Sequence, residues 1–377
     1  MSTNQHRVFH AIVGALAIAS LPPSAGAQDP AQYPSVRSYR TVKVADGIYA
    51  FVTPEERTGF QSGNSIAVIG DDGVLVFDTG NIPGATRRQI AEIRKLTDKP
   101  VRYVVNSHWH PDHNLGNAEY RKAFPSVTVI GTSATRAGIL ERVPGYFGQM
   151  RGFAPTDSLM KIGVVTGKMR NGTDMPPTVR TLYTLATGDY AEFMPEVMTA
   201  TPLASDLVFD DSLTIVLGRR VVKLVRPGRG NTDGDAVAII PDAGVLLTGD
   251  LVTMPCPFPG TAFFSGWIDA LDRLRALNVP TIVPGHGDVQ HDYVYIDLVR
   301  QLLVFTREQA RAAVRAGVPL DTLQKTIDYG DFIQRFGNGD AMRAVAFNNF
   351  YRPQAAARAF AEANFESQGQ ILPAEKP

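Results

Sequence analysis

Residues 106–113 of this 377-residue chain read NSHWHPDH. Three histidines and one aspartate therefore stand within six positions, a density that ordinary protein surfaces and cores rarely require. Zinc binds imidazole nitrogen and carboxylate oxygen. In a loop, two residues that are two positions apart can bind one metal ion, and the next pair of residues can bind a neighbouring metal ion. We therefore expect His108, His110, Asp112 and His113 to bind metal.

The sequence before this run predicts a covered β-sheet. Residues 41–52 are typical of two strands around an Asp-Gly turn, and residues 65–80 of two apolar strands buried on both faces. Residues 85–96 form an amphipathic pattern with Ile90, Ile93 and Leu96 on one side of a helix. The next strand, 101–106, leads directly into the histidine run.

A similar order recurs later in the chain. Residues 235–250 repeat the apolar strand, turn and strand, and an amphipathic helix within 267–277 precedes a further strand and the loop that carries His286. The order β, β, α, β in both halves predicts two sheets packed face to face with helices outside. Because the strand ends of one sheet face converge, we expect Asp250 and His286 to join the histidine run in one cleft. A solvated loop histidine and a turn-capping aspartate are the alternatives.

Three motifs resemble those of the metallo-β-lactamase-fold hydrolases: HWHPDH at 108–113, TGD at 248–250 and PGHG at 284–287. Asp78 in the run VFDTG fits the same family, and the resemblance spans roughly residues 42–291. It implies an α/β fold, the αββα sandwich, in agreement with the two similar halves. It also implies two zinc ligand sets, which are His108 and His110 for the first, Asp112, His113 and His286 for the second, and Asp250 as the bridge.

One position departs from the family pattern. A further histidine of the first zinc site is expected in a Gly-x-His-Thr-x-Gly run, and this chain has GRGNTDGD at 228–235, with Asn231 at the histidine position. An amide oxygen is a weaker zinc ligand than imidazole, so we expect one or two Zn²⁺ ions, with iron or manganese as alternatives. Asp233, Asp235 or His291 could compensate.

The resemblance implies an enzyme in which a metal-bound hydroxide attacks an acyl carbon. Asp112 would orient the water, and Tyr146 is one candidate for protonating the leaving group. If Asn231 is not a metal ligand, its amide would donate to the developing oxyanion. The expected small-molecule substrate is a cyclic amide or ester such as a β-lactam or lactone. Phosphodiesters, sulfate esters and thioesters are alternatives within the family. A metal-binding module with impaired catalysis is another alternative, whereas a flavin-linked diiron protein is disfavoured because no flavin domain follows.

The N-terminus has the three regions of a secretory signal peptide. Arg7 precedes an apolar stretch at 11–21, and small residues follow up to Ala27, which predicts a signal peptide at 1–27. We expect a secreted or periplasmic protein with no stable membrane anchor after signal removal. Cys256 is the single cysteine, so an internal disulfide is excluded, and a small buried apolar role is favoured over a metal neighbour.

The remaining organisation follows from composition and spacing. Lys+Arg and Asp+Glu are both 37, so nothing indicates a nucleic-acid partner. After a leader at 28–40 we expect a metallo-β-lactamase-like domain at 41–291, interrupted at 134–201 by an inserted, partly helical lid. Helical spacing predicts a C-terminal extension at 292–377. It could complete the pocket or form a dimer contact, so the oligomeric state stays open.

Overall fold

The computed structural model describes residues 29–374, so the signal peptide predicted at 1–27 lies outside the described residues. A seven-stranded sheet follows chain order, antiparallel from the first to the fourth strand and parallel from the fourth to the seventh. Its strands are β1 (Arg40–Ala45), β2 (Ile48–Val52), β3 (Ser65–Ile69), β4 (Val74–Phe77), β5 (Val101–Val105), β6 (Thr128–Thr132) and β7 (Leu207–Phe209).

A five-stranded sheet faces the first one. Its strands are β8 (Ser212–Leu217), β9 (Arg220–Val225), β10 (Val237–Ile240), β11 (Val245–Leu247) and β12 (Thr281–Val283). Their order is β12-β11-β10-β9-β8, and only β11 and β12 run parallel among these described strands. The inward side chains of both sheets, such as Phe77 and Leu247, form one apolar core.

Helices cover the outer face of each sheet. Helix α1 (Pro83–Leu96) packs Ile90 and Ile93 against the seven-stranded sheet, together with α3 (Asn117–Ala123). Leu96 was expected on the same side, but it lies in the last turn and is 37% exposed. Helix α8 (Phe264–Ala276) covers the five-stranded sheet and buries Trp267 completely. The αββα sandwich is thereby confirmed.

The inserted region is more helical than expected. It consists of α4 (Ser133–Glu141), α5 (Val143–Gly152), α6 (Ala154–Thr166) and α7 (Pro177–Val197). Prolines occupy the first turns of α5, α6 and α7, where a helix tolerates them because the first backbone N–H groups have no partner within the helix. Met150 and Phe193 of this insertion share an apolar cluster with Trp109 of the histidine run.

The C-terminal extension is also helical. It comprises α9 (Val294–Arg315), α10 (Leu320–Thr326), α11 (Gly330–Gly337), α12 (Ala341–Ala346), a π-helical turn (Phe347–Tyr351) and α13 (Arg352–Ser367). These helices enlarge the apolar core outside the five-stranded sheet. Among residues 29–374, no helix combines the length and apolar character needed to cross a bilayer.

Candidate metal centre

Three segments bring the candidate ligands together, and each follows the carboxyl end of a strand. His108 and His110 follow β5, Asp112 and His113 lie in the short helix α2 (Pro111–Asn114), Asp250 follows β11 and His286 follows β12. A Cβ atom at position 285 would lie 2.1 Å from the Asp250 carboxylate, so only glycine allows the last two loops to approach this closely.

The side chains form two donor groups that share Asp250. One contains His108, His110 and Asp250, the other Asp112, His113, Asp250 and His286, and the donor atoms of each group lie within 4.8 Å of one another. Asp250 Oδ1 is 3.1 Å from His113 Nε2, whereas Asp250 Oδ2 is 3.6 Å from His108 Nε2. His286 Nε2 lies 3.0 Å from Asp112 Oδ2. Each carboxylate oxygen of Asp250 thus faces a different group, as expected of a bridging ligand.

Two histidines are oriented by Asp78 and Ser107. His113 Nδ1 donates to Asp78 Oδ2 at 2.9 Å, which leaves its Nε2 facing the cluster. Ser107 Oγ donates to the same carboxylate at 2.7 Å and therefore accepts from His108 Nδ1 at 2.9 Å. Partners of this kind fix the imidazole tautomer that a metal needs. Asp78 adopts a left-handed backbone with φ of 59°, a strained conformation that directs its carboxylate to both partners.

His110 is oriented from a different part of the chain. Its Nε2 lies 3.0 Å from Thr261 Oγ1, which itself donates to the Asn231 carbonyl at 2.9 Å. The threonine hydroxyl must therefore accept from the imidazole, so Nδ1 carries the lone pair available to a metal. Sequence reasoning missed Thr261, because its partner lies 151 positions away.

The side chains of the two donor groups are suited to binding divalent metal ions. Burial lowers the pKa of His108 and lowers the pKa of His110 to about 4, so both rings are neutral and available as ligands near pH 7. Burial acts in the same direction on His113, but Asp250 and Asp112 together raise its pKa well above the usual range. His108 Nε2 is buried and has no hydrogen-bond partner among residues 29–374. Bound metal would satisfy this atom and would replace the proton on His113.

Asn231 is fully buried, and its amide is oriented by the chain. Nδ2 donates to the Phe258 carbonyl at 2.6 Å, whereas Oδ1 has no hydrogen-bond partner within the described part of the chain. The Asn231 atom without a partner is therefore the amide oxygen, which can accept a hydrogen bond or bind a metal ion. An amide oxygen can bind metal, so this orientation is compatible with Asn231 as a weak ligand; both roles considered for Asn231, metal ligand and oxyanion donor, stay predictions.

The three residues considered as substitutes for the missing histidine are outside both donor groups. Asp235 accepts from Gly230 N, Thr232 N and Thr232 Oγ1 and closes its own loop. Asp233 Oδ2 lies 3.6 Å from an Arg142 guanidinium nitrogen. His291 is exposed. Cys256 is buried and also lies outside the groups, as expected of a small apolar residue.

Further charged and phenolic side chains lie near the centre. The Arg142 guanidinium stacks on Trp109, 4.7 Å from the ring centroid, and its charge contributes to the lowered pKa of His110. Burial raises the pKa of Glu56, whose carboxylate also interacts with His286 and Asp112. Burial and the Asp112 charge raise the pKa of Tyr146, which keeps the phenol protonated. Arg142 and Glu56 had no recognisable signal in the sequence.

The C-terminal extension supports the loop that carries Thr261. Arg358 Nε donates to the Ala262 carbonyl at 2.6 Å. Glu362 accepts from the backbone N–H groups of Phe264 and Ser265 at 2.6 and 2.9 Å, and so caps the N-terminus of α8. Helix α13 therefore stabilises the loop that orients His110.

The chain is similar to several known proteins. The chain is 25% identical over 268 residues to the linear primary-alkylsulfatase of Pseudomonas sp. (strain ATCC 19151), which covers 68% of the chain and 48% of that protein. The chain thus spans about half the length of this curated relative. A metallo-beta-lactamase from Pontibacter korlensis has a TM-score of 0.48 at 19% identity, over 71% of this chain and 99% of that one.

The DIM-1 metallo-beta-lactamase has a TM-score of 0.47 at 17% identity, over 72% of this chain and 98% of its own. Residues 58–286 match the family described as the metallo-beta-lactamase superfamily, a segment that contains all six candidate ligands. The chain belongs to the metallo-β-lactamase superfamily, and its homologues are metal-dependent hydrolases.

Proposed function

We propose that this protein is a zinc-dependent hydrolase of sulfate esters, with primary alkyl sulfates as the substrate class. The proposed hydrolytic activity rests on one observation, the two donor groups that share Asp250. Zinc held by these groups would supply Lewis acidity and lower the pKa of a water molecule. The substrate class is supported by the 25% identity to an enzyme named for linear primary alkyl sulfates.

The residues around the donor groups fit an anionic ester. Arg142 places a positive charge beside the first group, within electrostatic reach of His110. A sulfate ester carries a fixed negative charge, which a guanidinium recognises through paired N–H donors. Neutral lactones offer no such charge. Apolar rings also adjoin the first group, since the Phe258 ring centroid is 5.9 Å from that of His110. We propose that these rings contact the alkyl chain.

Two side chains in or near the donor groups, Asp112 and Tyr146, are the proposed participants in water activation and proton transfer. Asp112 is the most exposed of the candidate carboxylate ligands, with 24% of its side chain accessible against 5% for Asp250. We propose that Asp112 orients the attacking water through a hydrogen bond. Hydrolysis breaks the ester and leaves an alcohol oxygen that must gain a proton. Tyr146, held in its protonated form, is the proposed donor.

A substrate panel tests the proposed class. Dodecyl sulfate, a chromogenic cephalosporin, a lactone, an aryl ester and a phosphodiester are each incubated with zinc-loaded protein. We expect the fastest turnover with dodecyl sulfate, measured as released sulfate, and loss of turnover in His110→Ala. Faster hydrolysis of the cephalosporin or lactone would instead support the cyclic amide or ester expected from the sequence.

The role of Arg142 has its own readout. Arg142→Gln should raise KM for dodecyl sulfate about tenfold or more while changing KM for a neutral aryl ester little, because only the sulfate uses the positive charge. Arg180→Gln, which removes an exposed arginine of the same insertion, is the matched control. Equal effects of the Arg142 change on both substrates would contradict a role in recognising the anion.

We also propose that the protein is exported to the periplasm or medium, on the basis of residues 1–27. N-terminal sequencing of protein expressed from the full chain should begin at Gln28. A mature protein that keeps the apolar stretch at 11–21 and stays in the cytoplasmic fraction would contradict export.

A further inference from the structure

Helix α6 presents apolar side chains to solvent along its outer face. Leu159, Ile162 and Val165 are 52%, 58% and 84% exposed. Their spacing of three residues places them on one side of the helix. Met160 and Gly163 are buried on the opposite side, so the helix is apolar on both. A helix of this composition is expected where both faces are covered.

The surroundings of this face, which we name the α6 face, are basic. Arg151 precedes the helix, Lys161 lies at its edge, and Lys168 and Arg170 follow its end, all four exposed. Between residues 151 and 174 these four basic residues stand against two acidic ones. Both acidic residues are already paired, Asp157 with Lys161 and Asp174 with Lys168. The net positive charge of this segment therefore comes from Arg151 and Arg170.

We propose that the α6 face docks reversibly on the surface of a bilayer that contains anionic lipid. Apolar side chains with a basic border are typical of helices that lie in the membrane interface. Leu159, Ile162 and Val165 insert among the acyl chains, and the basic residues contact the lipid headgroups. This inference is independent of the proposed substrate, because it concerns where the protein is held.

A second copy of the chain fits the α6 face less well. A helix of 13 residues offers a face about 20 Å long and about 10 Å wide, or roughly 200 Å². A stable interface needs about 800 Å² from each partner. A two-fold contact would also bring the basic borders of both copies together, at an electrostatic cost.

Docking at this face would hold the metal centre near the membrane. Phe153, just before α6, packs edge-on against Phe60 with ring centroids 5.3 Å apart. Phe60 belongs to the same apolar cluster as Trp109 of the histidine run. The insertion therefore connects the α6 face to the candidate ligands through packed side chains.

Vesicle co-sedimentation tests the inference without any turnover. Zinc-loaded protein is mixed with sucrose-loaded vesicles of phosphatidylcholine, with or without phosphatidylglycerol. We expect partitioning to the anionic vesicles that weakens as salt is added. Ile162→Ser should lower the partition coefficient about tenfold, and Arg151→Gln about fivefold with the anionic vesicles alone. Val294→Ser, which changes a valine that is 72% exposed on α9, is the matched control.

Two results would overturn the inference. One is an Ile162→Ser protein that partitions as well as the wild type while its circular dichroism shows that it is folded. The other is a wild-type dimer in light scattering that Ile162→Ser dissociates, without vesicle binding by either protein. That outcome would identify the α6 face as an interface between copies.

Discussion

Replacing Thr261 by valine should weaken metal binding at the first donor group and leave the second group unchanged. The threonine hydroxyl accepts from His110 Nε2 at 3.0 Å and donates to the Asn231 carbonyl at 2.9 Å. Valine has nearly the same shape but makes neither hydrogen bond. The His110 N–H group would remain buried without a partner, and the ring would lose the contact that fixes its tautomer.

The magnitude follows from these two contacts. Loss of an outer partner of a metal-binding histidine costs about 10- to 100-fold in metal affinity. Leaving a buried donor unpaired lowers the free energy of unfolding by about 1–3 kcal/mol. Metal-depleted protein is titrated with Zn²⁺ in competition with a chromophoric chelator, and the two affinities are resolved. Only the weaker, first-group affinity should change.

Thr253→Val is the matched control for this experiment. Thr253 is 4% exposed and lies in the loop after Asp250, but its hydroxyl has no hydrogen-bond partner in the described structure. Replacing an unsatisfied hydroxyl by a methyl group should leave both affinities unchanged and stability equal or higher. The reasoning is refuted if Thr261→Val binds two zinc ions as tightly as the control does.

Three further predictions concern residues around the centre. Burial raises the pKa of Asp235 to about 7 in the folded protein. The protonated side chain therefore contributes stability that is fully present below the pKa of Asp235 in the unfolded chain, and this stability is lost as pH rises through about 7. The free energy of unfolding in urea should fall more between pH 5 and 8 for metal-depleted wild type than for Asp235→Asn; parallel curves would contradict this. Glu362→Ala should lower that free energy by about 1–2 kcal/mol, because two N–H groups of α8 lose their acceptor, whereas exposed Glu308→Ala should not. Asn231→His should raise metal occupancy at the first group, measured by mass spectrometry, and unchanged occupancy would place Asn231 outside the ligand shell.

The strands and histidine loops were predictable because their signals are local. Two apolar strands around a turn can be recognised within 65–80, and the ligands His108 to His113 stand within six positions. Asp250 and His286 could be added because both follow buried strands. The structure brings all six candidate ligands into two donor groups, and their ligation of metal stays a prediction.

The supporting contacts could not be predicted, because they join distant parts of the chain. Thr261 reaches His110 across 151 positions, and Glu362 reaches Phe264 across 98. The amide orientation of Asn231 depends on the Phe258 carbonyl, which no motif marks. The exposed apolar face of α6 could not be predicted from the sequence for another reason. A helix that is apolar on both sides lacks the amphipathic pattern that would show which side is buried.

Metal content measured together with turnover tests the central claim most directly. Wild-type protein purified with zinc should contain about two equivalents of metal per chain and should release sulfate from dodecyl sulfate. His110→Ala should retain about one equivalent, held by Asp112, His113, Asp250 and His286, and should lose turnover. Less than one equivalent of zinc, iron and manganese together in the wild type, or full turnover in His110→Ala, would contradict the account.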